Sequence, residues 1–323
     1  MNSDPYFKVN IDTADTALPP QSQRPRVAII GGDARILSAA RRFAEFGYSV
    51  ALCGFDTENA AVCDLPPSAG IFRHVGDALA DATVILLPLP TTRDGADVWC
   101  PLGGDMRISL SEISDAAARG SHLFGGKLPT DFCTDLAQRG ISVTDYYGRE
   151  DVQVANAHIT AEGALMYAMT ETERTLHGAK VAVIGYGRIG HFLSSLLLSL
   201  GADVTVLARR EESLAWARCE GAKTAKISKD SLSSLSSGYE IIFNTVPYPL
   251  IGAEVIYRMK PDTLLVELAS SPGGFDAAAA RRSAVKIIWA SSIPGKYAPV
   301  SAGNIIADAV LSVLSDAAER SDV

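Results

Sequence analysis

The stretch Val181-Ala182-Val183-Ile184-Gly185-Tyr186-Gly187-Arg188-Ile189-Gly190 constrains this chain more than any other. Four consecutive apolar residues run into G-x-G-x-x-G, and apolar residues then recur at 189, 192, 193, 196, 197 and 200, the spacing of one helical face. The pattern predicts a buried strand, a tight turn and an amphipathic helix. Gly185 permits the turn, Gly187 lets backbone come close to a pyrophosphate, and Gly190 lets the helix pack on the strand. The N–H groups at the helix N-terminus would then face the phosphates. A second strand, Val204-Thr205-Val206-Leu207, completes the unit. This context favours a dinucleotide site, with Gly185, Tyr186, Gly187, Arg188, Ile189 and Gly190 as its contacts, over a glycine-rich turn in an α/β domain that binds no nucleotide.

The tip of that second strand selects the cofactor. An acidic residue there would bind a ribose 2′-hydroxyl, whereas this chain has Ala208-Arg209-Arg210 and then Glu211. Two guanidiniums and no carboxylate at the tip predict a 2′-phosphate, hence NADP, with NAD as the alternative; a solvated arginine pair is the competing reading.

A length of 323 residues suggests two domains, and 47% hydrophobic content is ample for two cores. The formal charge of −8 and a pI near 5.2 argue against nucleic acid or an anionic membrane surface as the main partner. The five cysteines, at 53, 63, 100, 133 and 219, include no C-x-x-C pair, so neither a metal site nor a disulfide framework is expected and a reducing cytoplasm fits. Residues 1–25 are polar, carry Pro19-Pro20 and lack an apolar signal-like stretch, and they read as a mobile N-terminal extension. No apolar run of 18 residues occurs, so no membrane span is expected.

Folding is expected to begin at Arg26. Val27-Ala28-Ile29-Ile30, Gly31-Gly32-Asp33-Ala34-Arg35, a helix with apolar residues at 36, 37, 40, 43 and 44, and Val50-Ala51-Leu52 look like the same strand–helix–strand device used a second time. Here Asp33 stands where a phosphate would want glycine, so this half reads as a substrate or dimerisation domain. Further strands are expected at 83–87, 122–124 and 141–143, and in the second half at 240–244, 263–266 and 285–289, with a weaker one near 223–227. Ligands of parallel sheets bind beyond the carboxyl ends of the strands. That rule selects Asp33, Arg35, Thr91, Thr92, Arg93 and Lys127 in the first half. In the second it selects Thr245, Val246, Pro247, Leu268 and Ala269 beside the cofactor, and Lys296. Residues 151–177 lack proline and, but for Gly163 and Gly178 just beyond, glycine, and predict a connecting helix that displays His158, Thr160 and Glu162.

The expected architecture is therefore α/β, with two doubly wound parallel-sheet, Rossmann-like domains joined by a long helix, and a C-terminal helix returning to the first domain. The domains are 26–150 with 301–323 for substrate or dimerisation, 151–177 as the connecting helix, and 178–300 for NADP.

Several of these segments taken together resemble a known family. Gly31-Gly32-Asp33-Ala34-Arg35, Pro90-Thr91-Thr92-Arg93, Asn156-Ala157 with Thr160-Ala161-Glu162-Gly163-Ala164, the Gly185 loop, Asn244-Thr245-Val246-Pro247, Leu268-Ala269-Ser270 with Pro272-Gly273-Gly274, and Pro294-Gly295-Lys296 with Ala298-Pro299 are similar to the A subunit of dipicolinate synthase, from about residue 26 to 310. The resemblance implies oxidation of dihydrodipicolinate, or its hydrated precursor, to dipicolinate in the cytoplasm of the mother cell of a spore-forming bacterium. It also implies a partner, the flavoprotein-like B subunit of that synthase, with flavin entering only through this partner, and a homodimer is expected.

Such chemistry needs a cofactor to take the hydride, a group to take the proton and cations for two carboxylates. Arg35, Arg93, Lys127 and Lys296 are the cations to test, with Thr91, Thr92 and Thr160 as hydroxyl donors and Glu162 and His158 as proton acceptors. Two rivals remain: another two-domain dehydrogenase of the D-2-hydroxyacid or alanine type, and a non-catalytic NADP-binding regulatory subunit of a flavoprotein. A hydroxyacid dehydrogenase would need a late general-acid histidine, and this sequence has none beyond His191.

Overall fold

Strands that are apolar at every position must be covered on both faces. Val27–Ile30 and Val181–Ile184 are fully buried, and each lies between two parallel neighbours. The computed structural model describes residues 25–321 apart from 60, 61, 63, 64 and 67. The extension expected over 1–25 lies, save Pro25, outside them.

The chain runs β1 (Arg26–Ile30), α1 (Ala34–Glu45), β2 (Ser49–Cys53), β3 (Ala69–Phe72), α2 (Val75–Leu79), β4 (Ala82–Leu86), α3 (Leu110–Ala116), β5 (His122–Gly125), α4 (Thr130–Gln138) and β6 (Ser142–Asp145). A short 3-10 turn, Tyr146–Gly148, leads into α5 (Glu150–Glu171). Then follow β7 (Lys180–Ile184), α6 (Arg188–Ser199), β8 (Asp203–Ala208), α7 (Glu211–Cys219), β9 (Lys223–Lys226), α8 (Lys229–Gly238), β10 (Ile241–Asn244), α9 (Ala253–Ile256), β11 (Leu264–Glu267), α10 (Ala277–Arg282), β12 (Lys286–Trp289), α11 (Ile293–Tyr297) and α12 (Pro299–Ser321). Two parallel six-stranded sheets result, ordered β3-β2-β1-β4-β5-β6 and β9-β8-β7-β10-β11-β12. Both have the doubly wound order, with the strand order reversing at β1/β4 and β7/β10.

Two compact units divide the chain: the described residues up to Ala155 with those from Ala298 onward, and Asn156–Tyr297. The first unit buries its sheet between two apolar clusters. One joins Ile36, Leu37, Ala40 and Phe43 of α1 to Ile306, Ala307, Val310 and Leu311 of α12. The other includes Val75, Leu79, Ile113 and Leu136. α12 meets α1 closely because residue 303 is glycine: a Cβ there would lie 2.1 Å from the Arg35 carbonyl oxygen. Arg42 Nε donates to Asp308 Oδ1 at 3.0 Å beside this crossing. By composition an 18-residue window within Pro299–Ala317 could cross a membrane; in the fold, the apolar stripe of α12 covers α1.

The second unit is built alike. Leu193 and Leu197 of α6 pack with Ala161, Ala164 and Ala168 of α5 on one face of the sheet, and Leu235, Ile256 and Met259 cover the other. Gly163, the interior glycine of α5, is where α11 presses in, since a Cβ would lie 2.2 Å from Ile293 Cγ2.

Two helix boundaries and one strand differ from the sequence reading. The helix expected over 151–177 ends at Glu171, a length of about 33 Å. Past that point the Thr172 hydroxyl turns back on Ala168 O at 2.7 Å, and Arg174 is drawn to Glu240 and Asp262 at 2.8 and 2.7 Å. The final helix starts at Pro299, not 301, because proline suits a first helical position, where no N–H is needed. Strand β3 was not expected at all.

Gly303→Ala should lower the unfolding free energy by about 1–3 kcal/mol, since α12 must move off α1 to admit a methyl group. Urea titration followed by circular dichroism measures this, and an unchanged midpoint would contradict the packing described.

Candidate active site

The glycine loop after β7 behaves as its sequence requires. Gly185 has φ +96°, and a Cβ there would lie 2.2 Å from Thr245 Oγ1. A Cβ on Gly190 would lie 2.2 Å from Gly185 O, so helix and turn are in direct backbone contact. Around Gly187 nothing lies within 4 Å of a Cβ position. Gly187 is also the N-cap of α6 and has no side chain to cap the helix. Open space at the N-terminus of a helix fits a pyrophosphate.

The corresponding loop of the first unit answers the same geometry differently. Asp33 is the N-cap of α1, with φ and ψ of −103° and −168° against −84° and −166° at Gly187. Its Oδ1 accepts from Arg35 N at 3.1 Å and from Arg35 Nε at 3.0 Å. A Cβ on the neighbouring Gly31 would lie 2.6 Å from Cys100 Sγ, so the space beside this loop is filled by the chain itself. This helix terminus is satisfied internally.

Beyond the tip of β8, Arg209 and Arg210 are exposed, and neither forms an ion pair among the described residues. The carboxylate of Glu211, the next residue, is held by Arg218 at 2.6 Å, which withdraws negative charge from that corner. Tyr186 donates its hydroxyl to Glu220 at 2.7 Å, and burial together with that carboxylate pushes the phenol's pKa up. Thr245 Oγ1 donates to Ile184 O at 2.9 Å and so ties the end of β10 to the glycine loop. Leu268 is buried and Ala269 half-buried at the end of β11. All cofactor residues read from the sequence thus stand along one edge of one sheet.

The expected substrate residues divide between the units. Asp33, Arg35, Thr91, Thr92, Arg93 and Lys127 follow β1, β4 and β5 of the first; His158, Thr160, Glu162 and Lys296 belong to the second. Four of them make hydrogen bonds within the fold. Asp33 caps α1; Arg35, 7% exposed, pairs with Asp33 at 2.9 Å and donates to Leu89 O. Thr91, fully buried, donates to Pro88 O, and Thr160 to Asn156 O at 2.7 Å. Thr92 exchanges hydrogen bonds with Asp94 and Gly95 at the surface. Arg93, Lys127 and Lys296 are exposed. The Arg93 guanidinium lies 4.3 Å from the centre of the Trp99 ring, and Lys127 is held in the left-handed region at φ +58°, with Nζ 5.3 Å from the Tyr147 ring. His158 and Glu162 share a face of α5, with Nδ1 and Oε1 3.8 Å apart, and the imidazole meets Phe192 edge-on.

Two side chains at the cofactor edge are not among the contacts named from the sequence. Asn244 and Glu267, which end β10 and β11, are 0% and 2% exposed and hydrogen-bonded at 2.7 Å. A carboxylate closing an apolar strand reads in sequence as the start of a solvated loop, so no signal marks it as buried. A cleft of about 380 Å³ lies at the opposite, amino ends of this sheet. Its main charges are already matched, Arg174 with Glu240 and Asp262, and Lys286 with Glu171.

Two doubly wound sheets, with a glycine cradle on the second, define an NAD(P)-dependent oxidoreductase of the dehydrogenase type. Residues 151–272 match the family model of the D-isomer specific 2-hydroxyacid dehydrogenase NAD binding domain, and residues 26–147 that of the N-terminal domain of the dipicolinate synthase A subunit. Over 296 residues the chain is 29% identical to the dipicolinate synthase A subunit of Bacillus subtilis, covering 90% of this chain and 96% of that protein. The crystal structure of the dipicolinate synthase A subunit from Bacillus halodurans superposes with a TM-score of 0.79, at 29% identity and with 90% and 97% of the two chains covered. That of the Bacillus subtilis protein gives 0.77, at 29% identity and with 90% and 96% covered. The resemblance read from the motifs therefore holds along nine-tenths of the chain, which is a relative of the dipicolinate synthase A subunit.

Gly187→Asp copies Asp33 into the cofactor loop, where the open space admits the side chain but the carboxylate meets the phosphates. The variant should fold normally and bind NADPH on the order of 100-fold more weakly, a loss of about 2.7 kcal/mol. A fluorescence titration of NADPH reads this, and unchanged affinity would place the cofactor elsewhere.

Proposed function

We propose that this chain oxidises dihydrodipicolinate, or its hydrated precursor, to dipicolinate, with NADP as hydride acceptor and, as its partner, a second, flavoprotein-like subunit. One observation carries the reading: the kinship to the dipicolinate synthase A subunit does not stop at the cofactor domain but includes the other half, residues 26–147. The work would take place in the cytoplasm of a sporulating mother cell, with the chain as a homodimer.

Conversion of a dihydropyridine to a pyridine removes one hydride and one proton, and aromatisation supplies driving force. NADP, when bound, accepts the hydride. The protein's part is to hold the ring in place and take the proton. Arg93 and Lys127 of the first unit are exposed cations suited to a carboxylate, and so, taken by itself, is Lys296 of the second. Arg35 acts one step back: its guanidinium holds Leu89 O and so sets the path of the Pro90-Thr91-Thr92-Arg93 segment. His158, whose Nδ1 lies 3.8 Å from Glu162 Oε1 on α5, is the proton acceptor. With the hydrated precursor as substrate, the same pair would assist loss of water. Arg209 and Arg210 supply the charge for a 2′-phosphate, and removal of Glu211 into its pair with Arg218 leaves that charge unopposed at the tip.

Purified chain, NADP and freshly generated dihydrodipicolinate, with and without the flavoprotein partner, should yield dipicolinate and NADPH in equal amounts, read from their separate absorbance bands. Formation with this chain alone places hydride transfer here. Dependence on both proteins makes the site shared. No product in either mixture, with NADP binding confirmed, would overturn the dipicolinate reading in favour of another dehydrogenase. Cofactor choice has its own test: Arg209→Gln with Arg210→Gln should weaken NADP binding about tenfold or more and leave NAD binding unchanged.

A further inference from the structure

Glu267 is a buried carboxylate that no cation pairs with among the described residues. It is 2% exposed at the last position of β11, and burial raises its pKa despite the hydrogen bonds it accepts. Oε1 accepts from Asn244 Nδ2 at 2.7 Å and from Ala269 N at 3.0 Å; Oε2 accepts from Gly274 N at 2.7 Å. Taking a carboxylate out of water is expensive, and an apolar residue could close this strand without that penalty. What the carboxylate achieves is convergence: one side chain fixes a neighbouring strand end and two points of its own loop.

The network continues to the glycine loop. Asn244, opposite Glu267 in the parallel ladder, donates its Nδ2 to Val246 O at 2.9 Å and accepts from Val246 N at 3.2 Å. Val246 and Thr245 in turn pack on Gly185, with a Cβ at 185 lying 2.9 Å from Val246 Cγ2 and 2.2 Å from Thr245 Oγ1. On the other side, Gly274 is pressed against Asn244, a Cβ there lying 2.4 Å from Nδ2. Every loop at the carboxyl ends of β7, β10 and β11 is thus fastened, directly or through Asn244, to one carboxylate. Beyond strand ends like these is where an open parallel sheet holds its ligand.

We propose that Glu267 is a positioning residue for the nicotinamide half of the cofactor, acting through Asn244, Ala269 and Gly274 on segments 244–247 and 268–274. This rests on the NADP reading above. The glycine loop and the arginine pair would hold the phosphates and adenosine; the Glu267 knot would set the wall against which the reacting ring is held.

The test compares NADP with its fragment lacking nicotinamide, 2′-phospho-ADP-ribose, each titrated against wild type and Glu267→Gln by calorimetry. The glutamine keeps the shape but presents an NH₂ group to the donors Oε1 or Oε2 now receives. Affinity for NADP should fall between about 10- and 100-fold, and affinity for the fragment should stay within about twofold. Asn244→Ala, which leaves Glu267 its two backbone donors, should show the same split and serves if the first variant does not fold. Equal losses for NADP and fragment would make the knot a general structural element and overturn the proposal, as would no loss in either. A wild-type chain that binds neither dinucleotide nor fragment would instead overturn the NADP reading, and this inference with it.

Discussion

Parallel pairing is the constraint on which the rest of this molecule depends. Two parallel neighbours cannot be joined by a hairpin; the chain must cross back over a face of the sheet each time, and here helices make most of these crossings. The crossings cover the faces, which is why Val27–Ile30 of β1 and Val181–Ile184 of β7 can be apolar at every position. They also deliver each strand's exit loop to the same edge. A site therefore gathers at that edge from residues far apart in sequence, as Gly185, Arg209, Thr245 and Ala269 do.

With the scaffold used twice, the difference between the units rests on one N-cap. Asp33 and Gly187 occupy the same place at the start of a helix after a central strand, with almost the same backbone angles. The carboxylate satisfies its helix and attracts Arg35, which in turn grips Leu89. Glycine satisfies nothing and leaves the donors for a phosphate. The same position thus builds a supported loop in one unit and a cofactor cradle in the other.

What could be read in the sequence follows from this. Continuous apolar runs such as Val27–Ile30, Ile241–Phe243 and Leu264–Val266 declare buried parallel strands, and the glycine spacing declares the cradle. Ala69–Phe72 could not be read, because a short run whose residues are mostly half-exposed at a sheet edge has no pattern to show. Helices of four or five residues, such as α2 and α9, are too short for a period. The glycine loop and strand ends of the second unit were legible because their signals are local. The internal bonds of the candidate substrate residues were not: nothing in the types Arg35, Thr91 or Thr160 reveals that Leu89 O, Pro88 O and Asn156 O receive their donors. Glu267 escaped for the opposite reason, since its acceptors are filled by Asn244, Ala269 and Gly274 only once β10 and β11 lie side by side.

The place of α12 in the first unit has a consequence for the order of events in synthesis. Asn156–Tyr297 is one uninterrupted segment, whereas the other unit needs both the beginning and the end of the chain. As the polypeptide leaves the ribosome, the second sheet and its helices are complete while α1 still lacks Ile306, Ala307, Val310 and Leu311. The cofactor unit can close first, and the nascent first unit waits with one apolar face uncovered until the last turns emerge. Truncation near the end would therefore harm the oldest part of the chain most.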